Sequence, residues 1–557
     1  MKKRDYIFLT ILFIFVILLR LLYIQDSLWY DEACSWFSAK QSFPMGIINN
    51  LFTLDLQHTP LYFFILHFWI MLFGDGEIAL RILSLIFSIA SIFLVYKICT
   101  KLHENRWIIY LTTLVCAVNP LLVFFSVEVR MYPAVMFLVL LSFNYLLDFE
   151  RKNDKKSLSK LVITNILIPY TYSGGIYYNL ALLISYGVYL FKNKKDIYPT
   201  YIRYAKKEWF FLIPYLFIML YYGIERSLFI VAHEGPLRFN QIIDAIRNIF
   251  GMNIVLNIYW PSTEPYTFTF MFTLLVFVPC LYFVYGFFKG LLKSEGFVKS
   301  LYFTAIGVFL MFTLGSLLKL NIFTVRYIIY LVPVLFILSV LGLSKSIKRK
   351  HLRVFLIFYI ICAMSFSLSN ASKMAKLKEF AFKSVVTESN NLGMTSDDMV
   401  ILPFGSDAPY YFREVSTPRV LFSDFHKIVR NPYGIYYDEN QISKMKGKEK
   451  YGLIYERIMN EDVFSNTFLN YFIRSVNSTV LPGRYVLLAF YGDDANAVVS
   501  NDMLKNLVQK NNYIRNNIAD VMFKKYIIDI ISMLNLDFKL LKIYTKDNYT
   551  YYLFQKI

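Results

Sequence analysis

Charge is what this sequence most lacks. Charged residues make up 17% of the 557 residues, against about 25% in an average soluble domain. Hydrophobic residues reach 57% and the mean hydropathy is +0.46. The apolar excess lies in long uncharged runs separated by short lysine-rich patches, which excludes a soluble enzyme, a disordered chain and a fibrous repeat. Cysteine is also scarce. There are five, Cys34, Cys99, Cys116, Cys280 and Cys362, with none later in the chain, so neither a disulfide framework nor a zinc spacing is available. No phosphate loop and no compact metal motif occurs in the polar C-terminal part.

What is present points to a polytopic membrane protein with one soluble domain attached. The 53 Phe and 44 Tyr fit lipid-facing surface and interfacial belts. The net charge of +19 does not signal nucleic acid, because the basic residues cluster between apolar runs, where the positive-inside rule puts them. The first run, 6–24, is long for a signal peptide and lacks a small-residue cleavage site, so it reads as a retained span with a cytoplasmic N-terminus.

Further runs are 78–98, 107–125, 131–147, 161–172, 176–190, 209–222, 268–288, 301–318, 327–343 and 354–368. They predict about eleven transmembrane helices, with the short 161–172 run, which contains Pro169, extended, tilted or re-entrant. If each run crosses, every strongly basic short loop falls on one side, the cytoplasmic one. The segments 25–77, 126–130 and 223–266, together with everything after residue 370, then lie outside. Residues 1–368 are expected to form the membrane domain and 369–557 an extracytoplasmic α/β domain. In the latter, 399–402 and 485–490 read as buried strands, 540–554 as a hairpin and 503–534 as helical.

Trp29-Tyr30-Asp31-Glu32-Ala33 follows the first run at once. Two carboxylates in a helical first turn would complement the helix dipole, and that reading and a functional one are equally compatible with the position. The segment from His58 to Trp69 is apolar, aromatic and too short to span comfortably, so it reads as an interfacial or re-entrant helix. Ser126-Val127-Glu128-Val129-Arg130-Met131-Tyr132 places a Glu and an Arg in a tight turn between two apolar helices. They form either a surface ion pair of small value or a functional pair. Arg326 and Tyr327 sit similarly at the outer end of a span, as anchors or as ligands. Together Asp31, Glu32, Glu128, Arg130, Arg326 and His58 gather at the outer membrane surface, the depth of a lipid phosphate. Guanidinium groups grip phosphate by forked bonds, and a carboxylate can act as general base on a hydroxyl.

The order Asp-Glu-Ala, His-x-Pro-Leu-Tyr, Phe-Gly-Asp with Ala-Leu-Arg-Ile-Leu-Ser, then Ser-x-Glu-x-Arg-Met-Tyr resembles the bacterial family 39 type of GT-C glycosyltransferases. These are relatives of the protein O-mannosyltransferases and of the lipid A aminoarabinose transferase. The resemblance covers 28–147 well and 326–335 more loosely. The sequence has His58-Thr59-Pro60 where the family often shows His-Pro-Pro, and Val127-Glu128-Val129 where Gln-Glu-Ala is usual. Neither change removes a charge.

The resemblance implies an inverting glycosyltransferase in the bacterial inner membrane, using a polyprenyl-phosphate hexose or pentose at the outer face. Its acceptor would be a hydroxyl on a glycolipid, a cell-wall polymer or a protein. Asp31 would be the base, with Glu32 beside it. Arg130 and Arg326 would hold the phosphate, and His58, Tyr132 and Tyr327 would line the substrate site. Glu128 would position Arg130 or share a divalent Mg or Mn ion with Asp31. Arg226, His233, Glu234 and Arg238 are candidates for an acceptor-side flap. Two rivals remain. A flippase or transporter of lipid-linked glycans would carry charges near mid-span, where acidic residues are almost absent here. An inactive GT-C scaffold would not need Asp31, Glu128 and Arg130.

Overall fold

A computed structural model describes residues 3–24, 28, 30–54, 58–227, 239–250, 270–316, 325–378, 383–402, 419–422, 476–477, 479–491, 531, 534–546 and 549–557. The chain divides into two compact units. One comprises Met1–Asp26 and Ser35–Lys376, the other Ser27–Cys34 and Leu377–Ile557.

The first unit is helical. The apolar runs become α1 (Lys3–Ile24), α5 (Glu77–Leu102), α6 (Arg106–Val118) with α7 (Pro120–Phe125), α8 (Tyr132–Lys152), α9 (Lys155–Thr171), α10 (Gly175–Asn193) and α11 (Tyr198–Ser227). Beyond α12 (Phe239–Phe250) follow α13 (Phe270–Lys293), α14 (Gly296–Gly315), α15 (Val325–Ile328), α16 (Val332–Ser344) and α17 (Arg349–Lys378). A single 3-10 turn, Ile329–Leu331, joins α15 to α16.

Among the described residues six helical stretches are long and apolar enough to cross a membrane: Lys3–Ile24, Glu77–Leu102, Tyr132–Lys152, Gly296–Gly315, Val325–Ser344 and Arg349–Leu368. Others fall short for visible reasons. The run 107–125 is not one helix, because Asn119-Pro120 interrupts it. Helix α9 has 17 residues, about 26 Å at 1.5 Å per residue, against about 30 Å of hydrocarbon.

Burial sorts these helices. Of the Val325–Ser344 window 89% is buried, against 33% for α1 and 28% for Arg349–Leu368. The first is apolar all round because protein surrounds it; α1 shows Ile7, Ile11, Ile14 and Leu18 outward, as a lipid-facing helix does. Helix α16 packs on α13 through glycines, since a Cβ on Gly342 would collide with the Gly286 carbonyl.

Charges tie the helix ends together where the basic loops lie. Asp5 at the start of α1 pairs with Arg106 at the start of α6 and accepts from the Tyr110 hydroxyl at 2.6 Å. Lys101 at the end of α5 pairs with Asp148 on α8 (2.8 Å), and Lys194 after α10 with Glu150 (2.7 Å). The alternation of helix directions through this cluster follows the charge pattern of the sequence.

Between α1 and α5 stand three short helices: α2 (Tyr30–Ala39), α3 (Met45–Leu54) and α4 (Pro60–Phe73). The sequence signals α4 and, through Asp31 and Glu32, the first turn of α2. Helix α4 begins with Pro60 at a first-turn position and stops at Gly74, whose φ of 80° suits glycine. Its Tyr62, Phe63, Leu66 and Ile70 are buried, while Phe68, Met71, Leu72 and Phe73 face outward.

The second unit holds a five-stranded mixed sheet of order β2-β1-β3-β5-β4, from β1 (Met399–Leu402), β2 (Arg419–Phe422), β3 (Tyr485–Tyr491), β4 (Phe538–Lys546) and β5 (Tyr549–Lys556). Strand β1 pairs parallel to β2 and β3, and β5 pairs antiparallel to β3 and β4. The stretch 540–554 is thus a hairpin, and the apolar runs 399–402 and 485–490 are interior strands. The segment 503–534 lies almost wholly outside the described residues. Val400, Leu487, Ala489 and Tyr551 pack with Val385 of α18 (Lys383–Asn391). Beside them Glu388 is buried enough to disfavour its charge, but bonds from Lys546, Tyr544 and Asn391 outweigh this and hold its carboxyl below the usual value.

Candidate functional site

The site is built on the turn between α7 and α8. Every residue from Ser126 to Met131 is buried. The turn is tight because the Arg130 N–H returns to the Glu128 carbonyl (2.7 Å), and Pro133 sets α8 going straight afterwards. The Ser84 hydroxyl on α5 donates to the same Glu128 carbonyl at 2.5 Å. Glu128 and Arg130 are 1% and 4% exposed. The reading of a surface ion pair therefore fails; both groups have been withdrawn from bulk water.

Arg130 reaches out of the turn with its guanidinium. Nη2 lies 2.7 Å from Nε2 of His58, and Nη1 donates to the Ser35 hydroxyl at 3.3 Å. An arginine has no lone pair to offer, so His58 Nε2 accepts. The imidazole is then neutral, with its proton on Nδ1. Nε2 is not available as a base while Arg130 holds it. His58 is 4% exposed, directly before the Pro60 start of α4. It is a buried residue held against Arg130.

An aromatic wall continues from the turn. The ring of Tyr132, buried at the start of α8, meets Phe125 at 5.3 Å and Tyr172 at 6.3 Å between centroids. Tyr172 in turn meets Tyr327 (6.4 Å) and Tyr330 (6.1 Å). The Arg326 guanidinium lies over the Tyr327 ring at 5.1 Å, with Nη2 3.4 Å from its hydroxyl. Arg130 and Arg326 thus stand along one continuous aromatic surface, although 196 positions separate them in sequence.

Asp31 and Glu32 lie in the first turn of α2, Asp31 half-buried and Glu32 fully buried. Ser35, the partner of Arg130, follows Asp31 by four residues on this helix. Of the flap candidates, Arg226 falls in the last turn of α11, while His233, Glu234 and Arg238 lie outside the described residues. Among the described residues no three His, Cys, Asp or Glu side chains converge as a metal-binding group. Sequence reasoning missed Ser35, Ser84 and Tyr172. Ser84 closes the Ala-Leu-Arg-Ile-Leu-Ser motif without being marked as a ligand, Ser35 gives no signal, and only the Tyr172-Ser173-Gly174-Gly175 punctuation marks the third as a helix end.

Residues 57–221 match a family model described as dolichyl-phosphate-mannose-protein mannosyltransferase. That span holds His58, Glu128, Arg130, Tyr132 and Tyr172. The fold is similar to the crystal structure of ArnT from Cupriavidus metallidurans bound to undecaprenyl phosphate, with a TM-score of 0.52 at 9% identity, over 99% of this chain and 98% of that one. ArnT from the same organism in the apo state matches with a TM-score of 0.53 at 9% identity, over 98% and 97%. No curated protein matches the sequence. At such identity the likeness shows a shared fold.

Proposed function

We propose that this chain is an inverting membrane glycosyltransferase of GT-C type that moves a sugar from a polyprenyl phosphate to an acceptor hydroxyl at the outer membrane face. The observation that carries the reading is the buried Arg130 guanidinium, held by a neutral His58 and a serine beside Glu128, in a fold shared with a protein that binds undecaprenyl phosphate. A buried guanidinium fixed in direction suits an anionic ligand.

In this mechanism Arg130 and Arg326 hold the donor phosphate from the two ends of the aromatic wall, and Tyr132, Tyr172 and Tyr327 line the space between. Asp31 takes the proton of the acceptor hydroxyl, with Glu32 beside it. The acceptor oxygen attacks the anomeric carbon from the face opposite the phosphate, and the carbon–phosphate oxygen bond breaks with inversion. Phosphate is already a good leaving group, so the protein supplies position and positive charge. Glu128 orients the Arg130 turn. No step is routed through a divalent ion. The sugar is a hexose or a pentose, and the acceptor is on a glycolipid, a cell-wall polymer or a protein. In this reading the N-terminus is cytoplasmic and the sheet unit lies outside, an orientation the basic loops support.

Purified protein in nanodiscs, given a panel of radiolabelled polyprenyl-phosphate hexoses and pentoses with cell-envelope extract as acceptor, is expected to transfer one of them. Mass spectrometry of envelope glycans from a deletion strain should show that same sugar missing. An unchanged set of glycans, with no transfer in vitro, defeats the reading.

A further inference from the structure

Helix α6 ends at Val118 because Pro120 has no N–H to return to the Cys116 carbonyl. In addition, Asn119 offers its side-chain oxygen to the Leu122 N–H (3.1 Å) in place of the Val118 carbonyl. A break inside an apolar bundle frees carbonyl oxygens that need new donors. Val118 O accepts from the Ser367 hydroxyl of α17 at 3.0 Å, and Ala117 O accepts from Arg20 Nη1 of α1 at 3.2 Å.

Arg20 is 0% exposed. Its Nε donates to the Ser88 hydroxyl of α5 at 3.1 Å, and Nη1 also reaches its own helix at Val16 O, 3.4 Å away. Nη2 has no hydrogen-bond partner among the described residues. A guanidinium kept in an apolar helix costs stability, and a single donor to Ala117 would have served with less. The fork does what a single donor does not: it joins α5 to the α6 break.

Two routes lead from this clamp to the proposed site. Helix α7 is six residues long and wholly buried, and it runs from the break into the Ser126–Met131 turn. On α5, one turn from Ser88, Ser84 holds the Glu128 carbonyl. We propose that Arg20 is a positioning residue that fixes the Glu128–Arg130 turn by both routes, an inference that rests on reading Arg130 as a phosphate ligand.

The test is a double-mutant cycle on the full chain in nanodiscs, with undecaprenyl phosphate as the probe. Dissociation constants are measured for the parent, Arg20→Met, Arg130→Ala and the double variant. Arg20→Met is expected to weaken binding about tenfold alone and to add almost nothing once Arg130 is gone. Arg20→Lys should stay close to Arg20→Met, since one point donor does not bridge both helices. Equal losses in both backgrounds, or a lowered unfolding midpoint with unchanged lipid binding, would mark a merely structural role and overturn the proposal. If Arg20→Met does not fold, Ser88→Ala carries the same cycle with an expected loss of about threefold, and Ser91→Ala on the next turn of α5 serves as the unaffected control. An additive Ser88→Ala effect, or none, overturns it equally. A parent protein that fails to bind the lipid sinks the functional reading and this inference with it. Normal binding by both the parent and Arg20→Met sinks the inference alone.

Discussion

The two ends of the helical unit hold their cations in different ways. At the end with the basic loops, cations meet carboxylates: Arg106 with Asp5, Lys101 with Asp148, Lys194 with Glu150. At the other end Lys40 also meets Asp75 (3.1 Å), while Arg81 donates to the Ile24 carbonyl (3.1 Å) and Arg130 to His58 and Ser35. Opposed charges cancel, so the first arrangement ties helices together and offers nothing to a ligand. At the second end an imidazole and a hydroxyl fix where the Arg130 guanidinium points. On the proposed function, the difference separates cations that tie helix ends together from one aimed at the donor phosphate.

The sharpest way to break this contrast is at the carboxylate assigned to chemistry. Asp31→Asn keeps size and hydrogen bonding but cannot take a proton at neutral pH. Sugar transfer by the purified variant should fall about 10²–10⁴-fold with normal expression, and Glu32→Gln should be milder. A helix-dipole role alone would cost only about 0.3–1 kcal/mol of stability and leave turnover intact.

Next come the arginines. Arg130→Ala and Arg326→Ala each remove a charge-assisted contact worth about 1.5–3 kcal/mol, so donor use at limiting concentration should drop tenfold or more. Lysine should rescue each only partly, for want of the fork. Donor dependence unchanged in both alanine variants would reduce the two residues to anchors.

Asp148→Asn, at the opposite end, should give a small effect of another kind. Its pair with Lys101 is partly exposed, and its loss should cost about 1 kcal/mol or less in thermal unfolding. Transfer kinetics should not move. A defect in transfer comparable to that of Arg130→Ala would erase the distinction between the ends.

The smallest effect at neutral pH belongs to the sheet unit. Glu388 is held below its usual carboxyl value when folded, so its stabilisation is present above the unfolded value of about 4.3 and is lost as pH falls through the folded one. Acid unfolding of the parent should therefore be steeper below pH ~4.3 than that of Glu388→Gln, which has no proton to gain there. Parallel acid profiles would remove Lys546 and Tyr544 as its stabilising partners.

Much of this was legible in the sequence because a bilayer imposes a coarse rule on any chain that crosses it: long apolar stretches, with basic residues left on one side. The interior strands 399–402 and 485–490 were legible because both sheet faces are covered there and no polar alternation is needed. Helix α2 was legible only as the helical first turn suggested by Asp31 and Glu32, and α3 not at all, since each is only 10 residues long and no apolar run announces them. The site was legible by residue type and not by contact. Arg130 and His58 stand 72 positions apart, and Arg130 and Ser35 stand 95 apart; only the packing of the helices brings them together. Nothing local marks Tyr172 as the ring that joins the two arginines.

The clamp at Arg20 has a consequence for how the protein is made. Its partner Ser88 lies 68 residues later in the chain and its partner Ala117 lies 97 residues later. At a synthesis rate of about 5–20 residues per second, the first helix waits roughly 5–20 s for the carbonyl it will hold. Through that interval a guanidinium must be carried by a helix whose other side chains favour lipid. Its place four residues before Ile24, at the end of α1, lets the long side chain reach the headgroup region while it waits. The order of translation thus sets a limit on depth: a structural arginine that must wait for its partners is tolerable near the end of a first span, and far less so in its middle.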